Sequence, residues 1–319
     1  MWKYIVAFVI VILLIAFIIG QTNKESLDDG ASIEEIVNST QEMPDSMVAG
    51  IVSPLNKRQD NSIPETIGNV DLNVLIKDIQ TPNQLLTRIN YSTSYNRQTK
   101  CPNWVAWHLT AEHTDGEFPR RGVPYFENGE ACGIGKVSRA TSKGDYFVDM
   151  EIEEPRPNFD DWSEMPTGMS HGHICPAGDN KWSKAAMNQS FLLTNMCPQD
   201  ESLNGGGWKK LEEKCRDWAK MYGDIYIVAG PIFYNGVNRS FGKNKIGIPD
   251  AFFKVVLCVN GSPKAIGFIY QNNSSSQSMK ECVHSVDEVE DVVGMDFFSN
   301  LEDSIENRLE SQYTLTDWR

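Results

Sequence analysis

Asn204-Gly-Gly-Gly-Trp208-Lys-Lys-Leu211-Glu212-Glu-Lys-Cys215-Arg-Asp-Trp218-Ala-Lys-Met221-Tyr-Gly-Asp224-Ile-Tyr-Ile-Val-Ala-Gly230 changes period halfway along. Trp208, Leu211, Cys215, Trp218 and Met221 recur at spacings of three and four, which predicts an amphipathic helix over 208–222. Asp224 to Gly230 is instead a nearly continuous apolar run and predicts a buried strand closed by a Gly-Pro stop. Downstream, Phe252–Cys258 and Lys264–Tyr270 read as two more strands. Upstream, Leu86–Tyr95, Trp104–Thr110 and Tyr146–Ile152 alternate like strands. The stretch from Gly122 to Gly144 reads as loop, and a short helix is expected near Leu72–Ile79. Strands and helices are mixed without regular βαβ alternation, so the expected class is α+β, with a mixed, largely antiparallel central sheet flanked by helices. No internal repeat of solenoid or propeller length is present.

The chain has 319 residues, 40 % hydrophobic and 23 % charged, which supports a sizeable core and excludes wholesale disorder or a multi-span membrane protein. Its formal charge of −14 argues against a protein held on nucleic acid by a basic surface. The charge is unevenly placed. Residues 21–70 carry nine acids and three bases, and residues 285–319 carry ten acids and two bases. The middle is therefore near neutral, and an anionic substrate is compatible with it.

Tyr4 to Ile19 is an apolar run preceded by Lys3 and closed by Gly20. Its length falls between a signal-peptide core and a full span. The expected reading is an uncleaved membrane anchor over 1–20, with a removed signal peptide as the alternative. Lys3 on the short side directs the bulk outward, so the protein is expected at the periplasmic or cell-surface side of a membrane, or secreted if 1–20 is cleaved. Residues 21–81 read as an acidic polar spacer, and 82–319 as the catalytic domain. In an exported chain, the seven cysteines (101, 132, 175, 197, 215, 258 and 282) permit up to three disulfides. No Cys-x-x-Cys pair is present, which disfavours a zinc ribbon or thioredoxin-like site.

The densest polar cluster is Ser170-His171-Gly-His173-Ile-Cys175-Pro-Ala-Gly-Asp179. A histidine takes a proton from water near neutral pH, and a flanking glycine permits close approach. The same residues also fit a structurally bonded pair of histidines, or a soft-metal site of His171, His173 and Cys175 on one strand face. A second cluster, Thr194-Asn195-Met-Cys-Pro-Gln199, precedes Asn204 and Glu212. An amide oxygen and a carboxylate are hard ligands suited to a hydrated Mg²⁺. Equally, Asn204 fits a plain helix cap and Glu212 a solvated helix residue.

Together, Ser170-His-Gly-His173, Asn195-Met-Cys-Pro-Gln199 and Leu203-Asn204-Gly-Gly-Gly-Trp208-Lys-Lys-Leu211-Glu212 resemble the sugar-non-specific DNA/RNA endonucleases with a ββα-metal motif. Asn103–Trp107 and Val228–Pro231 also fit, and the resemblance covers roughly 86–310. It implies a ββα-metal active site, DNA and RNA as substrates, and Mg²⁺ as cofactor, with Mn²⁺ as the alternative ion. By the same resemblance, His173 is the general base, Asn204 the direct protein ligand to the metal, and Glu212 a group acting on the metal's water shell. Asn195 supports the histidine, Arg156 in Arg-Pro-Asn-Phe159 contacts phosphate, and a homodimer is an oligomeric option.

One position departs from the pattern. The usual motif is Asp-Arg-Gly-His, and His171 stands where the arginine is expected. The phosphate charge then falls to a protonated His171, or to Arg156 and the metal. Lys181, Lys184, Lys209, Lys210, Arg216 and Lys220 are candidates for steering a polyanion. Competing readings are a phosphodiesterase for smaller anionic substrates on the same scaffold, a decayed surface binding module, and a thiol hydrolase built on Cys175 and His173.

Overall fold

A computed structural model describes residues 83–118 and 146–319, together with the backbone of strand segments 76–78, 126–127, 130–131 and 137–139. The expected anchor at 1–20 and nearly all of the expected spacer lie outside the described residues. Among the described residues, no helix is long and apolar enough to cross a membrane.

In chain order, the strands that position the site are β1 (Gln84–Thr87), β2 (Tyr91–Asn96), β3 (Cys101–Thr110), β4 (Met169–His173), β5 (Met196–Asp200), β6 (Asp224–Ile232), β7 (Ala251–Cys258), β8 (Lys264–Gln271) and β9 (Val283–His284). The helices are α1 (Phe159–Ser163), α2 (Lys184–Ser190), α3 (Glu201–Gly205), α4 (Gly207–Tyr222), α5 (Val286–Val293) and α6 (Asp303–Glu310). Seven strands form one sheet in the order β9-β8-β7-β6-β3-β2-β1. Every pairing within it is antiparallel.

The central strands read as continuous apolar runs because both faces of this antiparallel sheet are covered. Side chains alternate between the faces. Ile225, Ile227, Phe252, Val256, Ile266 and Phe268 pack with Trp208, Leu211, Cys215 and Trp218 of α4. Tyr226, Val228, Phe253, Val255, Leu257 and Ala265 pack with Val286 and Val289 of α5 and Leu309 of α6. The helix face read from the period of 208–222 is correct except at its end, where Met221 is exposed because the helix stops one residue later.

Several expectations are corrected. Ile76–Asp78 is not helical but a strand paired with Met295–Phe297. Leu86–Tyr95 is two strands, split by a turn in which the Arg88 N–H donates to the Tyr91 carbonyl at 2.7 Å. Within 122–144, short strands pair 126–127 with 130–131, and 137–139 with 147–149. Cys101, Cys175, Cys197, Cys215, Cys258 and Cys282 are all buried free thiols rather than disulfide partners. They serve as small apolar side chains within the core. Cys132 lies outside the described residues.

Candidate active site

The site is assembled on a two-stranded ribbon beside the main sheet. β4 pairs antiparallel with β5, in the register Ser170 to Gln199, His171 to Pro198, Gly172 to Cys197 and His173 to Met196. α3 follows β5 directly and packs on both strands, so the local order is strand, strand, helix. Gly172 is required for the strands to close: a Cβ there would lie 2.5 Å from Gln199 Oε1 and 2.6 Å from Gln199 Cβ.

His173, the last residue of β4, is only 6 % exposed. Its ring meets Phe191 edge-on, with centroids 4.9 Å apart, and Tyr146 at 6.1 Å. His171 lies in the same aromatic wall, stacked between Tyr146 at 4.2 Å and Trp162 at 4.4 Å. Burial in that stack depresses its pKa to about 4. A depressed pKa favours the neutral ring near pH 7, which fits the alternative in which the phosphate charge falls to other groups. Ser170, which alternates with these histidines, turns to α3 instead: its Oγ accepts from Asn204 Nδ2 at 2.8 Å and donates to the Gln199 carbonyl at 3.1 Å.

Asn195 is fully buried and clamps the chain just past His173. Its Oδ1 accepts from the Cys175 N–H at 2.9 Å, while its Nδ2 donates to the carbonyls of Cys175 at 2.9 Å and Ser190 at 2.8 Å. The Asn195 carbonyl in turn accepts from the Ile174 N–H at 3.0 Å. One amide thus fixes the peptides on which the His173 ring depends.

Asn204 does not open the long helix. It sits in α3, separated from α4 by Gly206 (φ −112°, ψ −107°), where a Cβ would fall 2.3 Å from the Ser202 carbonyl oxygen. The eight-residue step from Asn204 to Glu212 therefore crosses a kink rather than a continuous helix. Asp200 caps α3, its Oδ1 accepting from the N–H groups of Ser202 and Leu203. Glu212, in the second turn of α4, is half-buried.

Arg156 is committed locally. Its Nε donates to Glu154 at 2.7 Å, and its Nη1 donates to the carbonyls of Met150 and Ile152. It braces the loop leading to α1, the helix that carries Trp162 against His171. Arg216, expected only as a steering charge, makes an inward ion pair: its Nη1 donates to Asp179 Oδ1 at 2.8 Å. Trp107 Nε1 donates to the other oxygen at 3.0 Å. Burial pushes the Asp179 carboxyl up, and Arg216 and Lys254 pull it back down. Lys254 is itself buried, its Nζ lying over the rings of Trp107 and Trp208. Sequence reasoning missed this network, although Glu212 and Arg216, four apart on a helix, are a signal for a shared face. Two of the other steering candidates are also paired: Lys209 lies 3.8 Å from Glu213, and Lys220 lies 3.2 Å from Asp115.

The donor set fits a hard divalent cation. With Asn204 Nδ2 engaged by Ser170, the amide oxygen is the atom left to face a metal, and Glu212 supplies a carboxylate on the adjoining helix.

The chain is 29 % identical to mitochondrial nuclease EXOG of Xenopus laevis over 229 residues, covering 67 % of this chain and 58 % of that protein. It is 27 % identical to a nuclease of Nostoc over 250 residues, covering 72 % and 78 % respectively. It spans between 56 % and 60 % of the length of the EXOG nucleases it matches. In fold, it is similar to EndoG as seen in the crystal structure of the EndoG/EndoGI complex, with a TM-score of 0.56 at 22 % identity, covering 70 % of this chain and 89 % of that one. The model of the DNA/RNA non-specific endonuclease family matches residues 73–304, and the chain belongs to that family.

Proposed function

We propose that the protein is a metal-dependent endonuclease that hydrolyses phosphodiester bonds in DNA and RNA, with His173 as general base and Asn204 holding one Mg²⁺. The observation that carries this reading is the bond from Asn204 to Ser170, which ties the hard-ligand helix to the strand that ends in His173. Family membership supports it.

His173 accepts the proton of a water as that water attacks phosphorus in line. The flanking Phe191 and Tyr146 rings hold the imidazole and limit water around it. Asn195 keeps the backbone that presents it in place. Asn204 would hold the cation through its amide oxygen, and Glu212 would serve as the neighbouring carboxylate acting on the cation's waters. When bound, Mg²⁺ supplies Lewis-acid neutralisation of the charge that develops on the phosphoryl and leaving oxygens. His171, held neutral, contributes an aromatic wall, and cationic neutralisation is left largely to the metal.

Plasmid degradation followed over an Mg²⁺ titration, with and without EDTA, tests the reading. Activity should vanish with chelator, and His173→Ala should lose on the order of 10²- to 10⁴-fold. Full metal-dependent activity in His173→Ala overturns the assignment of the base.

A further inference from the structure

The sheet face opposite α4 carries a second concentration of carboxylates. Asp287 and Glu290 lie one turn apart on α5, and Glu310 is the last residue of α6. One oxygen from each lies within 4.8 Å of the others. Glu310 is only 4 % exposed, and its Oε1 is buried without a hydrogen-bond partner. An unbonded buried carboxylate oxygen costs free energy unless something else compensates it. Its position makes the cost worse, since the C-terminal end of a helix already carries partial negative charge. Glu290 is half-buried and accepts from the Phe297 N–H at 2.5 Å, which fixes it in the cluster, while Asp287 forms the exposed lip.

We propose that Asp287, Glu290 and Glu310 form a binding site for a divalent cation of the calcium class, clamping α5 to α6 on the face of the sheet remote from the nuclease site. Oxygen is the ligand type such ions take. Mg²⁺ keeps several waters and usually takes one or two carboxylates, whereas Ca²⁺ accepts flexible sites built of several protein oxygens, so three carboxylates with oxygens within 4.8 Å of one another suit the larger ion. Three carboxylates exceed the charge of one divalent ion, and Asp296 and Glu306 add further negative potential. Glu288 is not a ligand, because its carboxylate caps α5 through the Ser285 N–H. The core under α5 and α6 is separated by the sheet from the core under α4, so the proposed ion is structural and distinct from the one on Asn204.

The test is thermal denaturation of the EDTA-treated full chain, titrated with CaCl₂. Wild type and Asn204→Ala should both gain a saturable rise of several degrees in Tm, with MgCl₂ weaker in Asn204→Ala. Glu310→Gln and Glu290→Gln should lose that rise while degrading plasmid at the wild-type rate. Without calcium, Glu310→Gln should be at least as stable as wild type, which shows that it folds. A calcium response unchanged in Glu310→Gln overturns the proposal. So does a wild type with no calcium response beside a more stable Glu310→Gln, the result expected if the cluster holds only protons.

Discussion

Arg216 and Asp179 meet at 2.8 Å and join the α4 helix to the turn that follows His173. The Asp179 side chain is 1 % exposed and Arg216 21 %, so the pair is desolvated chiefly on the acidic side. Removing the arginine strands a buried carboxylate. Arg216→Ala should lose about 3–5 kcal/mol of unfolding free energy, and Arg216→Ala with Asp179→Asn should recover much of that loss. Urea denaturation of the two single variants and the double variant measures the coupling. Additive effects would show that the pair is energetically idle.

His171 provides a pH signature. Its folded pKa of about 4 lies below the ordinary histidine value, so between pH 4 and 6.5 the unfolded chain binds the extra proton. Stability from this group is fully present above pH 6.5 and is lost as pH falls toward 4, by up to about 3 kcal/mol. Chemical denaturation at pH 7.5 and pH 5 reads the loss, and His171→Phe, which retains a flat ring in the stack, should flatten that part of the profile. An NMR titration placing His171 near 6.5 would sink this prediction.

The buried amide of Asn195 makes three hydrogen bonds to the backbone, one as acceptor and two as donor. Asn195→Ala should cost about 2–4 kcal/mol, because the Cys175 N–H and two carbonyls are left unbonded. At temperatures where the variant stays folded, kcat should fall with little change in KM, since the change displaces His173 rather than a substrate contact. An unchanged kcat would limit Asn195 to a role in stability.

Gly172→Ala forces a Cβ into Gln199, at a cost of about 1–3 kcal/mol. Gln199→Ala should rescue little of it, because the Gln199 Cβ, which alanine keeps, is itself only 2.6 Å away. Melting temperatures of the single and double variants decide the point. Full rescue would mean that only the flexible end of Gln199 matters.

The sheet and the long helix were legible because their signals are local. The 3–4 spacing from Trp208 to Trp218 and the apolar runs at 224–230, 252–258 and 264–270 appear as read. The ribbon carrying His173 was reachable only as a cluster of motifs, since its β4–β5 pairing joins residues far apart in sequence. The fates of Arg216 and His171 were not legible. Which acid Arg216 meets, and whether two aromatic rings close over a histidine, depends on segments brought together only by the fold. The strand at 76–78 was misread for the same reason, because its partner lies more than two hundred residues downstream.

The break at Gly206 makes the segment that carries Asn204 a jointed arm rather than a rod. In an unbroken helix, inserting one residue would swing everything beyond it by about 100°. Here the hinge isolates Asn204 and its anchor on Ser170 from the register of α4. A residue inserted in α4 beyond Gly207 would therefore rotate the side chains that follow it and leave Asn204 and its bond to Ser170 in place.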